Sequence, residues 1–325
     1  METEYTTRGG VRVRCDVEPL PYPHDLSPLA AALDARRGLL LASSCDVPGR
    51  YARYDLGFVD PPLAFAVRGR TLEVDALSER GAVLLPAVAE ALGAERALER
   101  LDAAADRVRA TVRPPSGSFT EEERTRQPSV FSLLRAVLAY FASDADPHLG
   151  LYGAFGYDLV FAFEPLPLRL PRAADQRDLV LYLPDEIAVV DHRRECAERR
   201  RYDFTVGGVS TAGLAREPAR AEAAAPARRA SLALVSDHGP GEYAAVVESA
   251  IERFRAGDLF EVVPGQTFSL PCAEPPSELF ARLRERNPAP YGFLASLGAG
   301  EHLVGASHSG RSVPSTWSTV WMRRE

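Results

Sequence analysis

Short apolar or alternating runs, set off by Gly, Pro and Ser, recur along this chain, and amphipathic helical stretches fall between them without regular strand–helix alternation. A doubly wound parallel sheet needs that alternation, so the pattern predicts an α+β fold. Val11-Arg12-Val13-Arg14 alternates and reads as a strand with one wet face. A helix is predicted over 27–37, with Ser27 as N-cap, Pro28 in the first turn and Gly38 as the stop. Leu39-Leu40-Leu41 reads as a buried strand running into Ser43-Ser44 and a Pro48-Gly49 turn. Strands at 63–67 and 71–74 are joined by the hairpin signal Arg68-Gly69-Arg70.

Helices are predicted around 82–92 and 95–108, and the polar stretch 113–127 reads as a loop. From 129 to 142, Val130, Phe131, Leu134, Val137, Leu138 and Phe141 share one helical stripe, the pattern of a core-packing helix. Gly150, Gly153 and Gly156 then sit among aromatics, where glycine in a strand marks the close approach of another backbone or a sharp twist. Residues 179–192 read as two strands broken at Pro184-Asp185, and 202–206 as another strand. Large apolar side chains nearly vanish over 211–230, which reads as a linker and the main boundary of the chain. Beyond it, Tyr243, Val246, Val247, Ala250, Ile251 and Phe254 predict an amphipathic helix stopped by Gly257. A strand over 259–263, a helix capped by Ser277, a rigid turn at 287–290 and strands at 291–297 and 302–306 complete the readable part.

Composition narrows the chemistry. All 38 basic residues are Arg, which excludes Schiff-base lysine chemistry and a phosphate-loop lysine within these residues. A formal net charge of −7 gives no electrostatic support for nucleic-acid binding. Cys15, Cys45, Cys196 and Cys272 form no C-x-x-C pair and read as free thiols. No apolar run approaches the roughly 18 residues of a membrane span, and METEYTTRGG lacks a signal-peptide pattern, so a cytoplasmic location is the default expectation. The histidines are scattered, the carboxylates fall into no paired motif, and no Ser/His/Asp arrangement has supporting context. These residues alone name no reaction.

Several segments in series carry a resemblance. LLLASSCDVPGRYARYDLGFVDPPL (39–63), LYGAFGYDLVFAFEP (151–165) and DLVLYLPDEIAVVDHRR (178–194) resemble the anthranilate synthase family, in particular the type fused to its own glutaminase. RFRAGDLFEVVPGQTFSL (253–270), NPAPYGFL (287–294) and HLVGAS (302–307) are similar to the start of its chorismate-binding region. The resemblance covers residues 1 to about 307 and rests on the order and spacing of the segments. It implies a two-sheet β-sandwich with outer helices. It divides the chain into an N-terminal region with a regulatory motif (1–210), a linker (211–235), the start of the chorismate-binding domain (236–307) and an unrelated tail (308–325). It further implies amination of chorismate with ammonia from glutamine, loss of pyruvate to leave anthranilate, Mg²⁺ on the substrate carboxylate, and a glutamine amidotransferase domain or subunit as partner.

Residue roles follow from the same resemblance. The family's tryptophan-contacting motifs match Leu41 and Ser43 in the first segment and Asn287, Pro288, Pro290, Tyr291 and Gly292 in the NPAPYG segment. Ala42 stands where the family carries an acid, and Gly292 where a Met is common. The Ser43 hydroxyl would meet a charged end of the amino acid, and Leu41 and Tyr291 would wall its ring. Read without the resemblance, the same residues are a packed strand end and a proline turn. Glu261 matches a position where amine-adding members carry Gln or Glu and water-adding relatives a Lys; by itself it reads as a surface acid. Gln266 matches a substrate-side Gln, with Thr267 replacing a basic residue.

After Ser307 the family pattern stops. HSGRSVPSTWSTVWMRRE (308–325) shows no helical or strand period and matches no family segment, so a shifted reading frame is the expectation. The motifs for Mg²⁺ and most of the catalytic site are then expected to be missing, leaving no metal ligand here and a chain inactive by itself. The competing readings are an aminodeoxychorismate synthase component, a non-catalytic tryptophan-binding fragment and a nonfunctional product.

Overall fold

At the amino terminus β1 (Glu2–Thr6) and β2 (Arg12–Leu20) pair antiparallel, with Val13 and Cys15 buried and Arg12 and Arg14 exposed, as the alternation requires. The computed structural model describes residues 1–44, 53–114, 127–163, 171–173, 175–216, 234–307 and 318–323. The Pro48-Gly49 turn, Cys45, most of the 113–127 loop, most of the 211–230 linker and the first part of the tail lie outside the described residues.

Helix α1 (Ser27–Ala32) is shorter than the predicted 27–37, and Asp25 rather than Ser27 holds its start, accepting the Ser27 N–H at 2.9 Å. β3 (Gly38–Ala42), β4 (Tyr54–Val59), β5 (Leu63–Arg68) and β6 (Thr71–Ala76) follow, then α2 (Glu79–Gly93), whose Ser78 N-cap accepts from Gly81 N–H. The helix predicted over 95–108 is instead a hairpin of β7 (Leu98–Ala103) and β8 (Arg107–Val112). Its Ala, Glu, Leu and Arg favour helix locally, but β8 pairs with β6 and turns Val108, Ala110 and Val112 into the core; tertiary pairing overrides propensity.

α3 (Val130–Phe141) buries the predicted stripe through Val130, Leu134, Val137 and Phe141. β9 (Tyr152–Phe155) carries Gly153, where a Cβ would lie 2.1 Å from Val180 O, the close backbone approach that glycine there signals. β10 (Leu179–Leu183), β11 (Glu186–Asp191), β12 (Cys196–Val206) and β13 (Val209–Ser210) complete the first stretch.

By contact the chain divides into two compact units, 1–225 with 276–324, and 226–275. The second unit contains β14 (Val235–Ser236), α4 (Glu242–Ala256) and β15 (Phe268–Ser269). Gly257 ends α4 in the left-handed conformation, φ 80°. No residue of α4 is buried, and 259–263 is not a strand: Phe260 is fully exposed and the run has no pairing partner among the described residues. α5 (Pro276–Arg286), β16 (Tyr291–Gly298) and β17 (Glu301–Ser307), expected to belong with 236–275, are part of the first unit, because β16 pairs with β3. Ser277 does not cap α5; it lies in the first turn, and Asp34 accepts its N–H at 2.8 Å and its hydroxyl at 2.6 Å. In the tail, β18 (Ser318–Arg323) pairs antiparallel with β17, a strand that the composition of 308–325 does not announce because an edge strand needs only a partner backbone.

The first unit holds two large antiparallel sheets, ordered β1-β2-β12-β11-β4-β3-β16-β17-β18 with β13 beside β12, and β7-β8-β6-β5-β10-β9. One apolar cluster draws on both: Phe58 and Tyr182 meet edge to face at 6.2 Å across the sheets, and the Tyr182 hydroxyl donates to Ser296 O at 3.0 Å. On the other face of the larger sheet, α1 and α5 cover Leu40, Val190, Leu294 and Val304. Leu39 and Leu40 therefore serve different cores, the consequence of the period-2 strand. α2 reaches strands of both sheets, and its fully buried Arg80 pairs with Asp185 and Asp203 and donates to Thr211 O at 2.7 Å. The arrangement is α+β.

Candidate functional site

β3 and β16 bring the two predicted segments side by side. Ala42 lies opposite Gly292 and Leu41 opposite Phe293. Past the strand ends, Ser44 N–H donates to Ala289 O at 3.0 Å and Ala289 N–H to Ser44 Oγ at 2.8 Å, so the proline turn is tied to the end of β3. Asn287 N–H closes α5 on Leu283 O at 2.8 Å; Pro290 is buried and Pro288 exposed.

The alternation sorts these residues by face. Leu41, Phe293 and Tyr291 share one face, and Leu41 and Tyr291 remain 39% and 38% exposed, enough to offer apolar wall. Gly292 points the other way, toward α5: a Cβ there would lie 2.6 Å from Ala42 O and 3.4 Å from the Phe280 ring. The Phe280 ring thus fills space that a larger residue at 292 would need.

Ser43 is held by charged neighbours. Its N–H donates to Asp55 Oδ1 at 2.8 Å, and its carbonyl accepts from Arg284 at 3.2 Å. Asp55, buried on β4, lies 3.1 Å from His192 Nε2. Nearby, Arg53 pairs with Asp191 at 2.7 Å and lies 4.6 Å over the Tyr54 ring; that hydrogen bond holds the Asp191 carboxyl below the usual carboxylate range. Tyr54 meets His148 edge-on at 6.2 Å, and burial, helped by Arg200, pushes the His148 imidazole below its ordinary value. Asp146 accepts the His148 N–H at 2.8 Å and an Arg200 hydrogen bond at 3.0 Å; burial opposes these, but they leave its pKa lowered. Burial raises the neighbouring Cys15 thiol to about 11, so it is no reactive thiolate.

Sequence reading passed over Asp55, Arg284 and His192. No spacing gave any of them a role; the β3–β4 pairing brings Asp55, with His192 behind it, and the placement of α5 brings Arg284 to Ser43. Glu261 and Gln266 belong to the 226–275 unit, where Glu261 is exposed and Gln266 Nε2 donates to Ser236 Oγ at 3.1 Å. Among the described residues no group of three or more His, Cys, Asp or Glu is arranged to hold a metal ion. No helix among them is long and apolar enough to cross a membrane.

A family model for chorismate binding enzymes matches residues 96–308. The chain belongs to that family. Within it, the chain is 53% identical over 307 residues to an anthranilate synthase of Azospirillum brasilense, a match covering 93% of this chain and 41% of the relative. It is 32% identical over 281 residues to anthranilate synthase component 1 of Serratia marcescens, covering 80% of this chain and 51% of that one. Among solved structures, anthranilate synthase component I from Streptococcus pneumoniae matches at 17% identity with a TM-score of 0.42, over 81% of this chain and 52% of that one. The chain thus spans about half the length of the relatives it matches. The family match, 96–308, spans the predicted linker as well as 236–307.

Proposed function

We propose that this chain forms part of an anthranilate synthase, which aminates chorismate and eliminates pyruvate to give anthranilate. The observation that carries the reading is the 53% identity to the Azospirillum brasilense anthranilate synthase over 93% of the chain. Ammonia comes from glutamine through an amidotransferase domain or subunit. The reaction proposed uses Mg²⁺, for which the described residues hold no cluster of three or more His, Cys, Asp or Glu. Glu261 is the candidate for the amination step and Gln266 for substrate contact, each on its match to a family position.

Leu41, Ser43, Asn287, Pro288, Pro290, Tyr291 and Gly292 form the tryptophan effector site in this reading. The support is local. Antiparallel pairing puts residues about 250 positions apart in sequence beside one another, with a partly exposed aliphatic and aromatic side chain on one face.

The function is tested in cells that lack anthranilate synthase. The protein that carries this chain should restore their growth without tryptophan. Relief of a p-aminobenzoate requirement, with the tryptophan requirement unchanged, would assign it to aminodeoxychorismate synthesis instead.

A further inference from the structure

Just past the end of β3, both main-chain polar groups of Ser43 meet charged side chains. Asp55, from β4, takes the N–H at 2.8 Å, and Arg284, from α5, donates to the carbonyl at 3.2 Å. Hydrogen bonds to ionised groups are the stronger kind, and two from opposite sides fix the peptide planes around a residue. Both charged groups are themselves held. Asp55 is 7% exposed with His192 Nε2 at 3.1 Å, which compensates a carboxylate that is costly to bury alone. Arg284 rides on α5, whose first turn Asp34 secures through Ser277, and its guanidinium lies 5.7 Å over the Phe280 ring that packs at Gly292.

We infer that Asp55 and Arg284 are positioning residues for amino-acid binding: from opposite sides they fix the backbone of Ser43, and so set where its side chain meets the effector. This deepens the effector-site reading and rests on it. Neither residue need touch the ligand. Each acts through Ser43, so each variant's effect should follow whether a hydrogen-bonding group for Ser43 survives, not how much stability is lost.

The test is calorimetric titration of the full protein with tryptophan, run with thermal unfolding of each variant. Asp55→Ala removes the acceptor, whereas Asp55→Asn keeps an oxygen for the Ser43 N–H but gives up the charge facing His192. Arg284→Ala removes the donor, whereas Arg284→Lys keeps one. Loss of one well-placed charge-assisted bond corresponds to about tenfold in affinity. The Ala variants should bind about tenfold more weakly, and the Asn and Lys variants within about threefold of wild type, with affinities that do not rank with the unfolding midpoints. Wild-type binding with unchanged affinity in the Ala variants, or affinities that merely track the unfolding midpoint, overturns the positioning roles alone. A wild-type protein that takes up no tryptophan overturns the effector reading itself, and this inference with it.

Discussion

Helices α3 and α4 carry similar amphipathic stripes, and they meet different fates. α3 buries Val130, Leu133, Leu134, Val137 and Phe141 in the first unit. α4 buries nothing, and its Val246, Ile251 and Phe254 are 44%, 43% and 40% exposed. The stripe specifies a face that seeks apolar cover. It does not specify where the cover comes from. In the first unit two sheets and α2 supply it; within residues 226–275 one two-residue strand pair does not.

The comparison can be broken most directly by paired truncations. Phe141, buried on α3, should cost about 3–5 kcal/mol on Phe141→Ala, whereas Phe254→Ala on α4 should change stability by no more than about 0.5 kcal/mol. Denaturant titration of both variants measures the difference; equal losses would mean that α4 is packed as α3 is. Next in size is Arg80→Met. It leaves Asp185 buried without its main partner and should cost about 3 kcal/mol by the same measurement, because breaking a buried pair strands a charge. Asp34→Ala removes the cap of α5 and should cost about 1 kcal/mol, read as a lower unfolding midpoint.

The smallest effect is a pH dependence in the first unit. His148 has a folded pKa below its ordinary value, so the unfolded chain takes up its proton first. Its contribution is whole above about pH 6.5 and fades as pH falls through that value. The Asp146 carboxyl, also depressed, contributes above about pH 4 and loses its share on further acidification. His148→Asn should flatten the upper window of a stability–pH curve and leave the lower one in place.

Much of this was legible in the sequence where a local pattern and its tertiary partner agree. Leu39-Leu40-Leu41, the hairpin through Gly69, and the stripe from Val130 to Phe141 all form the elements their periods predict. Residues 95–108 were not legible, since Glu, Ala, Leu and Arg favour helix while β6 offers a strand partner that no local signal reveals. Residues 259–263 show the converse: Leu, Phe and Val suit a strand, but no backbone pairs with them among the described residues. For the candidate site, the two segments that touch were read from their resemblance to the family. Asp55 and Arg284 escaped notice because a single charge carries no periodicity; only the folded neighbourhood of Ser43 gives it meaning.

One assay bears most directly on the central claim, that this chorismate-binding family chain serves an anthranilate synthase under tryptophan control. The protein that carries the chain is given chorismate, Mg²⁺ and an ammonium salt, and the product is followed by fluorescence and chromatography with and without tryptophan. The account predicts anthranilate, formed more slowly when tryptophan is present. Isochorismate or 4-amino-4-deoxychorismate as product, or a rate of anthranilate release indifferent to tryptophan, would contradict it.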